Sequence, residues 1–275
     1  MRAIAAIATI FVLLIAAAQA KPRAVSLDYC ADQYLLLIGD PAQIAALSRG
    51  ADKDYSYLRT QAEAHRKVRP TIEEVLSETP DIVLRQWGGG ANASEAFSRF
   101  GAQTVSLGFP QDFDGVKDNI RITAAALQQE HKGEALIREL DRRLDHLKAQ
   151  GRSSAPTHAL YVTPGGVTAG AQTMINAIIE AAGMVNIAAQ NGQSYWPPLP
   201  AEALLLDPPD FIVAGFFGSQ DEYINHWSAA RHPALLKIID ETPGVHLSAD
   251  VISCASFHSV EAAEAIAGAV REQTP

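Results

Sequence analysis

The chain has 275 residues, 48% of them hydrophobic and 19% charged, and its 22 basic against 31 acidic side chains give a formal net charge of −9. That balance excludes nucleic acid and anionic membrane surfaces as partners, since both would repel the protein. The length exceeds one ordinary core and indicates a single large domain or two lobes.

Residues 1–20, MRAIAAIATIFVLLIAAAQA, combine one basic side chain, an apolar run from Ala3 to Ala17 and a small-residue Ala18-Gln19-Ala20 ending. This is the pattern of a cleaved secretory signal, which places the mature start at Lys21. An uncleaved anchor is the alternative, although the run is short of the ~20 residues a spanning helix needs. No cysteine follows the expected cleavage point, so a lipid anchor is not indicated. Without Arg2, 21 basic residues face 31 acidic ones, a net charge of −10. In an oxidising compartment thiols tend to pair, so the two cysteines, Cys30 and Cys254, are expected to form a disulfide; two separate buried thiols are the alternative.

From Arg23, RAVSLDY reads as a strand, ADQYLLLIGD as a helix and IAALS as a second strand, a β-α-β opening. Residues 49–69 are polar and irregular. Thr71 and Glu74 have capping-box spacing at the start of a short helix that ends before Pro80. DIVLR, NASEAFSRF and QTVSL then read as strand, helix and strand. Residues 112–129 and 131–150 follow as helices, with Ile120, Ala124 and Leu127 on one face of the first and Leu136, Ile137, Leu140, Leu144 and Leu147 on one face of the second. About 20 helical residues span ~30 Å, enough for a strut between lobes. An ordinary crossover helix within one sheet is the alternative.

After GRSSAP the alternation restarts with THALYVT, a Gly165-Gly166 loop, the helix TMINAIIEAA stopped by Gly183, and FIVAG. One unit occurs twice. PTIEEVLSETPDIVL at 70–84 and LPAEALLLDPPDFIV at 199–213 align at an offset of 129, setting Glu73 on Glu202, Leu76 on Leu205 and Pro80-Asp81 on Pro209-Asp210. Strand-helix alternation on both sides of the strut predicts an α/β fold of two Rossmann-like lobes joined by one long rigid helix. The expected division is a signal at 1–20, an N-terminal lobe at 21–130, a linking helix at 131–150 and a C-terminal lobe at 151–275.

Ligands of open parallel sheets sit beyond the carboxyl ends of the strands. The loops at those ends are aromatic here: Tyr29 after the first strand, Tyr55 and Tyr57 in the irregular stretch, Trp87 after DIVLR, Tyr195 and Trp196 before the repeated helix, Phe216 and Phe217 after FIVAG, and Phe257 with His258 near the end. Stiff amphipathic side chains of this kind wall a pocket for a bulky planar or cyclic ligand. Tyr57, Trp87, Trp196 and Phe217 are expected to face one cleft, with His258 as a further contact. Signals for catalysis are poor. No GxxxxGK[ST] sequence or nucleophile elbow occurs, and the glycines at 88–90 do not open onto a phosphate-binding helix. The eight histidines show no paired ligand spacing, so no metal site is expected.

These segments, with GVTAGAQTMINAIIEAAGMVNIA and WPPLPAEALLLDPPDFIV, resemble the periplasmic binding proteins of ABC importers for cobalamin, ferric siderophores and haem. The resemblance covers most of the chain beyond residue 20. It implies a monomer in the periplasm that holds a metal chelate or corrinoid between two lobes with little hinge closure. It also implies an inner-membrane permease dimer with its ATPase as partner, met through Glu73 and Glu202. Trp196-Pro197 matches a Trp-Pro pair of the cobalamin binders. Their cysteines lie within the second lobe, where this chain has Ala182 instead, so Cys30 and Cys254 are arranged differently. Two rival classes stand beside this one: a secreted nucleotide-sugar transferase of two Rossmann-like lobes, and a ligand-free envelope adaptor.

Overall fold

The computed structural model describes residues 21–150, 157–199, 201–215 and 233–273. The expected leader, Phe216 and Phe217 lie outside the described residues. The first sheet is built by β1 (Ala24–Ser26), β2 (Ile44–Ser48), β3 (Lys67–Val68), β4 (Ile82–Arg85) and β5 (Gln103–Ser106), in the order β3-β2-β1-β4-β5 with every pairing parallel. Helices α1 (Tyr29–Ile38), α2 (Arg59–Ala62), α3 (Ile72–Ser77), α4 (Ala93–Ser98) and α5 (Phe113–Ala126) connect and cover it. The long α6 (Glu130–Gln150) leads to the second sheet, β6 (His158–Val162), β7 (Val185–Asn186), β8 (Phe211–Gly215) and β9 (Gly244–Leu247), in the parallel order β7-β6-β8-β9. Its helices are α7 (Met174–Ala181), α8 (Ile187–Gln190), α9 (Ala201–Leu206), α10 (Pro233–Glu241), α11 (Ala249–Ile252) and α12 (Ser259–Gln273).

The fold is therefore α/β with two parallel sheets and a linking helix of 21 residues, about 32 Å long. The stripe on α6 packs as its spacing requires. Ile137, Leu140 and Leu147 are buried, while Leu136 and Leu144 pack half-buried against the same core. The polar face of α6 is tied to the last helix by Arg143, whose guanidinium donates to Glu264 on α12 (Nε–Oε1 2.8 Å).

The repeated unit has a structural explanation. Asp81 accepts from the Arg23 amide through its carboxylate (2.8 Å) and donates its own amide to the Arg23 carbonyl (2.9 Å), which locks the start of β4 to the start of β1. Asp210 makes the same reciprocal pair with His158 at β6 (2.8 and 3.0 Å). Each Pro-Asp ends the preceding helix and sets the register of the strand beside the central one. Glu73 and Glu202 occupy the first turns of α3 and α9 and are exposed.

Two local expectations change. The stretch 49–69 contains α2 and the edge strand β3, whose two residues are too short for any periodicity to show. The capping box is only half formed: Thr71 accepts from the Glu74 amide (3.4 Å), but Glu74 turns away to the Arg69 amide (2.7 Å) and guanidinium. That backbone bond, ahead of the Arg69 charge, lowers the Glu74 pKa.

Asp32 is fully buried on α1 and joins three elements. It accepts from Ser26 of β1 and from both the amide (2.9 Å) and hydroxyl (2.6 Å) of Ser48 at the end of β2. Burial pushes its carboxyl up to about 7, against the pull of those hydrogen bonds. An acid with a raised folded pKa binds an extra proton in the native state between its unfolded and folded values, so stability falls as pH rises through that window. Urea unfolding at pH 5 and pH 8 is expected to show Asp32 contributing roughly 2 kcal/mol less at the higher pH, read as the difference between the wild-type and Asp32→Asn slopes, since the lowered His258 pKa acts in the opposite direction in both proteins. An unchanged slope in the variant would assign the pH dependence to another group.

Candidate functional site: an aromatic cleft between the lobes

Parallel strands carry the loops after β1, β4 and β5 to one end of the first sheet and the loops around 172 and 195 to the facing end of the second. Between them lies a cleft of about 450 Å³, within the ~300–1,000 Å³ typical of ligand sites. Tyr29, Trp87 and Phe109 line it from the first lobe, and Tyr195 and Trp196 from the second. Three amides, Gln86, Gln111 and Gln172, supply polar groups, together with Thr173 and Ser253. No Asp, Glu, Lys, Arg or His side chain lines it among the described residues.

Asp28 holds the first wall in place. It is buried (4% exposed), accepts from the Ala31 amide (2.9 Å) as the N-cap of α1, and with its other oxygen accepts from the successive amides of Gln86, Trp87 and Gly88 (2.8, 3.1 and 3.1 Å). One carboxylate thus fixes the start of the helix bearing Tyr29 and the loop bearing Trp87. Gly88 lies so close to Leu27 that a Cβ would stand 2.5 Å from the Leu27 carbonyl oxygen, which restricts the position to glycine. The rings continue the contact: Tyr29 meets Trp87 edge-on at 5.0 Å and Tyr55 at 4.7 Å, and Trp87 lies nearly parallel to Phe109 at 6.4 Å. Burial, then Tyr55 and Asp28, raise the Tyr29 pKa, so its phenol keeps its proton.

The floor is the joint between the lobes. Cys30 and Cys254 are bonded across it, with Cα atoms 5.4 Å apart, and both line the cleft. Beside the bond, Tyr34 donates to the Ala255 carbonyl (2.7 Å), Ser256 donates to Gln33 (2.9 Å) and Arg59 pairs with Asp250 (2.7 Å).

Tyr57 and His258 belong to this joint and do not line the cleft. Their rings stack at 3.8 Å, Tyr57 donates to Glu261, and burial lowers the His258 pKa. The neutral ring then donates from Nδ1 to Glu261 Oε1 (3.1 Å). Tyr55 backs Tyr29 from outside the cleft lining. Of the four residues expected to share a cleft, Trp87 and Trp196 do so, Tyr57 does not, and Phe217 lies outside the described residues. Phe109 and the glutamines were not singled out from the sequence. Phe109 follows β5 and so obeyed the loop-after-strand rule; neutral amides have no spacing signature.

A family model described as periplasmic binding protein matches residues 25–221. Curated proteins from two strains of Halobacterium salinarum, each called cobalamin-binding protein, are 26% identical over 197 residues, covering 70% of this chain and 53% of theirs. The chain thus spans about half the length of the curated relatives it matches. Among solved structures, the apo periplasmic haem-binding protein RhuT from Roseiflexus sp. RS-1 superposes with a TM-score of 0.70 at 21% identity, over 91% of this chain and 99% of that one. The vitamin B12 binding protein BtuF of Vibrio cholerae gives 0.67 at 19% identity, over 93% and 99%. The haem-binding protein HutB of the same organism gives 0.71 at 18% identity, over 88% and 96%. At these identities the structural likeness establishes the fold.

Proposed function

Because the chain belongs to the periplasmic binding protein family, with the match running through residues 25–221, we propose that it is the solute-binding component of an ABC importer. In this reading it takes an uncharged corrinoid in the inter-lobe cleft and delivers it to an inner-membrane permease powered by a separate ATPase. The observation that carries the reading is the makeup of the cleft: aromatic walls from both lobes, three amides and no ionic side chain among the described residues. A ring system fringed with amides finds stacking surfaces and complementary hydrogen bonds there. Among the described residues, haem carboxylates and ferric catecholates would meet no cation at the cleft lining, inside a chain whose net charge is already −9. The family match weighs against the nucleotide-sugar transferase reading. Protein purified from its native periplasm should carry a corrinoid visible spectrum; a haem or ferric-chelate spectrum would overturn the ligand assignment.

The permease contact is part of the same proposal. α3 starts at the carboxyl end of β3, and α9 starts directly after the loop carrying Trp196, so parallel topology puts both first turns at the cleft end of the molecule. Glu73 and Glu202 are exposed there, one on each lobe, as a two-fold partner would require. Glu73→Arg combined with Glu202→Arg is expected to leave ligand affinity unchanged while abolishing transport and salt-dependent binding to the permease. Normal transport by the double variant would reduce both glutamates to residues that offset their helix dipoles.

A further inference from the structure

The loops that form the second lobe's wall pair antiparallel over 166–170 and 195–199, with Val167 opposite Pro198, and then turn to a parallel bridge between Ala171 and Ser194. Leu199 donates to Gly166, Thr168 to Pro197 and Gly170 to Tyr195, a regular two-residue spacing (2.9, 2.9 and 2.8 Å). The spacing then slips by one, because the Tyr195 amide turns to the Ala171 carbonyl (2.8 Å) and the Ala171 amide to Gln193 (2.8 Å). The backbones are so close that a Cβ on Gly170 would stand 2.4 Å from the Gln193 carbonyl oxygen. Tyr195 sits at the slip in the left-handed region, φ 61°, which a bulky residue rarely adopts. Of the four non-glycine residues with positive φ among the described residues, two, Gln172 and Tyr195, line the cleft.

The slip changes what the chain can present. In an extended segment successive side chains point to opposite faces, so a regular ladder would give the ligand either residue 195 or residue 196. Here both line the same cleft, with Tyr195 54% and Trp196 42% exposed. Irregularities of this kind re-aim side chains next to binding sites. We propose that the left-handed Tyr195 is a specificity-determining device that turns two consecutive aromatic side chains onto one ligand. This rests on the reading that the cleft binds a corrinoid.

The test uses cyanocobalamin titration and thermal melting of six variants. Tyr195→Gly keeps the backbone accessible and removes one ring, so affinity should fall about tenfold with melting temperature unchanged or raised. Tyr195→Val disfavours the left-handed conformation, so it should also swing Trp196 away and bind about 100-fold more weakly, as weakly as the Tyr195→Gly, Trp196→Ala double variant. Adding Trp196→Ala to Tyr195→Val should then cost nothing more. The proposal is overturned if Tyr195→Gly binds like the wild type, or if Tyr195→Val binds like Tyr195→Gly with the Trp196→Ala loss still fully present. Weakened binding in Trp196→Ala alone, with both Tyr195 variants unaffected, overturns this inference and leaves the cleft reading standing. Unchanged binding in Trp196→Ala and in Trp87→Ala removes the cleft reading itself.

Discussion

Asp28→Ala is expected to lose roughly 3–5 kcal/mol of folding stability in urea and to weaken ligand binding at the same time. The carboxylate accepts from four amides, three of them consecutive in the Trp87 loop, and is itself almost fully buried. Alanine removes the N-cap of α1 and leaves the amides of residues 86–88 without their acceptor, the one buried at Gly88 among them. Trp87 then loses its fixed position beside Tyr29, and the first wall of the cleft loses its stacking surface. Asp28→Asn keeps an acceptor oxygen and should fall between wild type and alanine in both measurements. A stability change below about 1 kcal/mol for Asp28→Ala would mean that the loop is held by something other than this carboxylate.

Cys30→Ser with Cys254→Ser carries the second large effect. The bond joins residues 224 positions apart and from different lobes, so opening it frees the unfolded chain by an amount worth roughly 2–5 kcal/mol. The variant should also bind ligand more weakly, because the bond lies in the cleft floor and fixes the first turn of α1 against the segment after α11. The hydrogen bonds of Tyr34 and Gln33 and the Tyr57–His258 stack remain, so the lobes should stay associated with a looser floor. Denaturant unfolding and titration of the double serine variant measure both effects. Two titratable thiols in the unreduced wild-type protein would contradict the premise.

Much of the architecture was legible because the apolar runs and stop signals are strong: IAALS, DIVLR and FIVAG form β2, β4 and β8, and Gly183 stops α7, whereas Asp28 and Thr173, read within a strand and a helix, prove to be N-caps. The two-residue β3 was not legible, since pairing with β2 rather than its own sequence makes it a strand. At the cleft, Tyr29, Trp87, Tyr195 and Trp196 could be placed from a rule about strand ends. The same rule could not place Tyr57 or His258, whose contact joins residues about 200 positions apart and depends on how the lobes meet. The role of Asp28 was hidden for a similar reason: its partners are 58 to 60 residues away, and only the folded loop brings three amides to one oxygen.

Parallel calorimetric titration of the purified protein with cyanocobalamin, haemin and a ferric catecholate bears most directly on the assignment of the cleft. A cleft walled by these aromatic and amide side chains should bind cyanocobalamin one-to-one with a dissociation constant of about 1 μM or tighter, and the two anionic chelates at least about tenfold more weakly. Stoichiometric binding of haemin or the ferric catecholate with none of cyanocobalamin would contradict it.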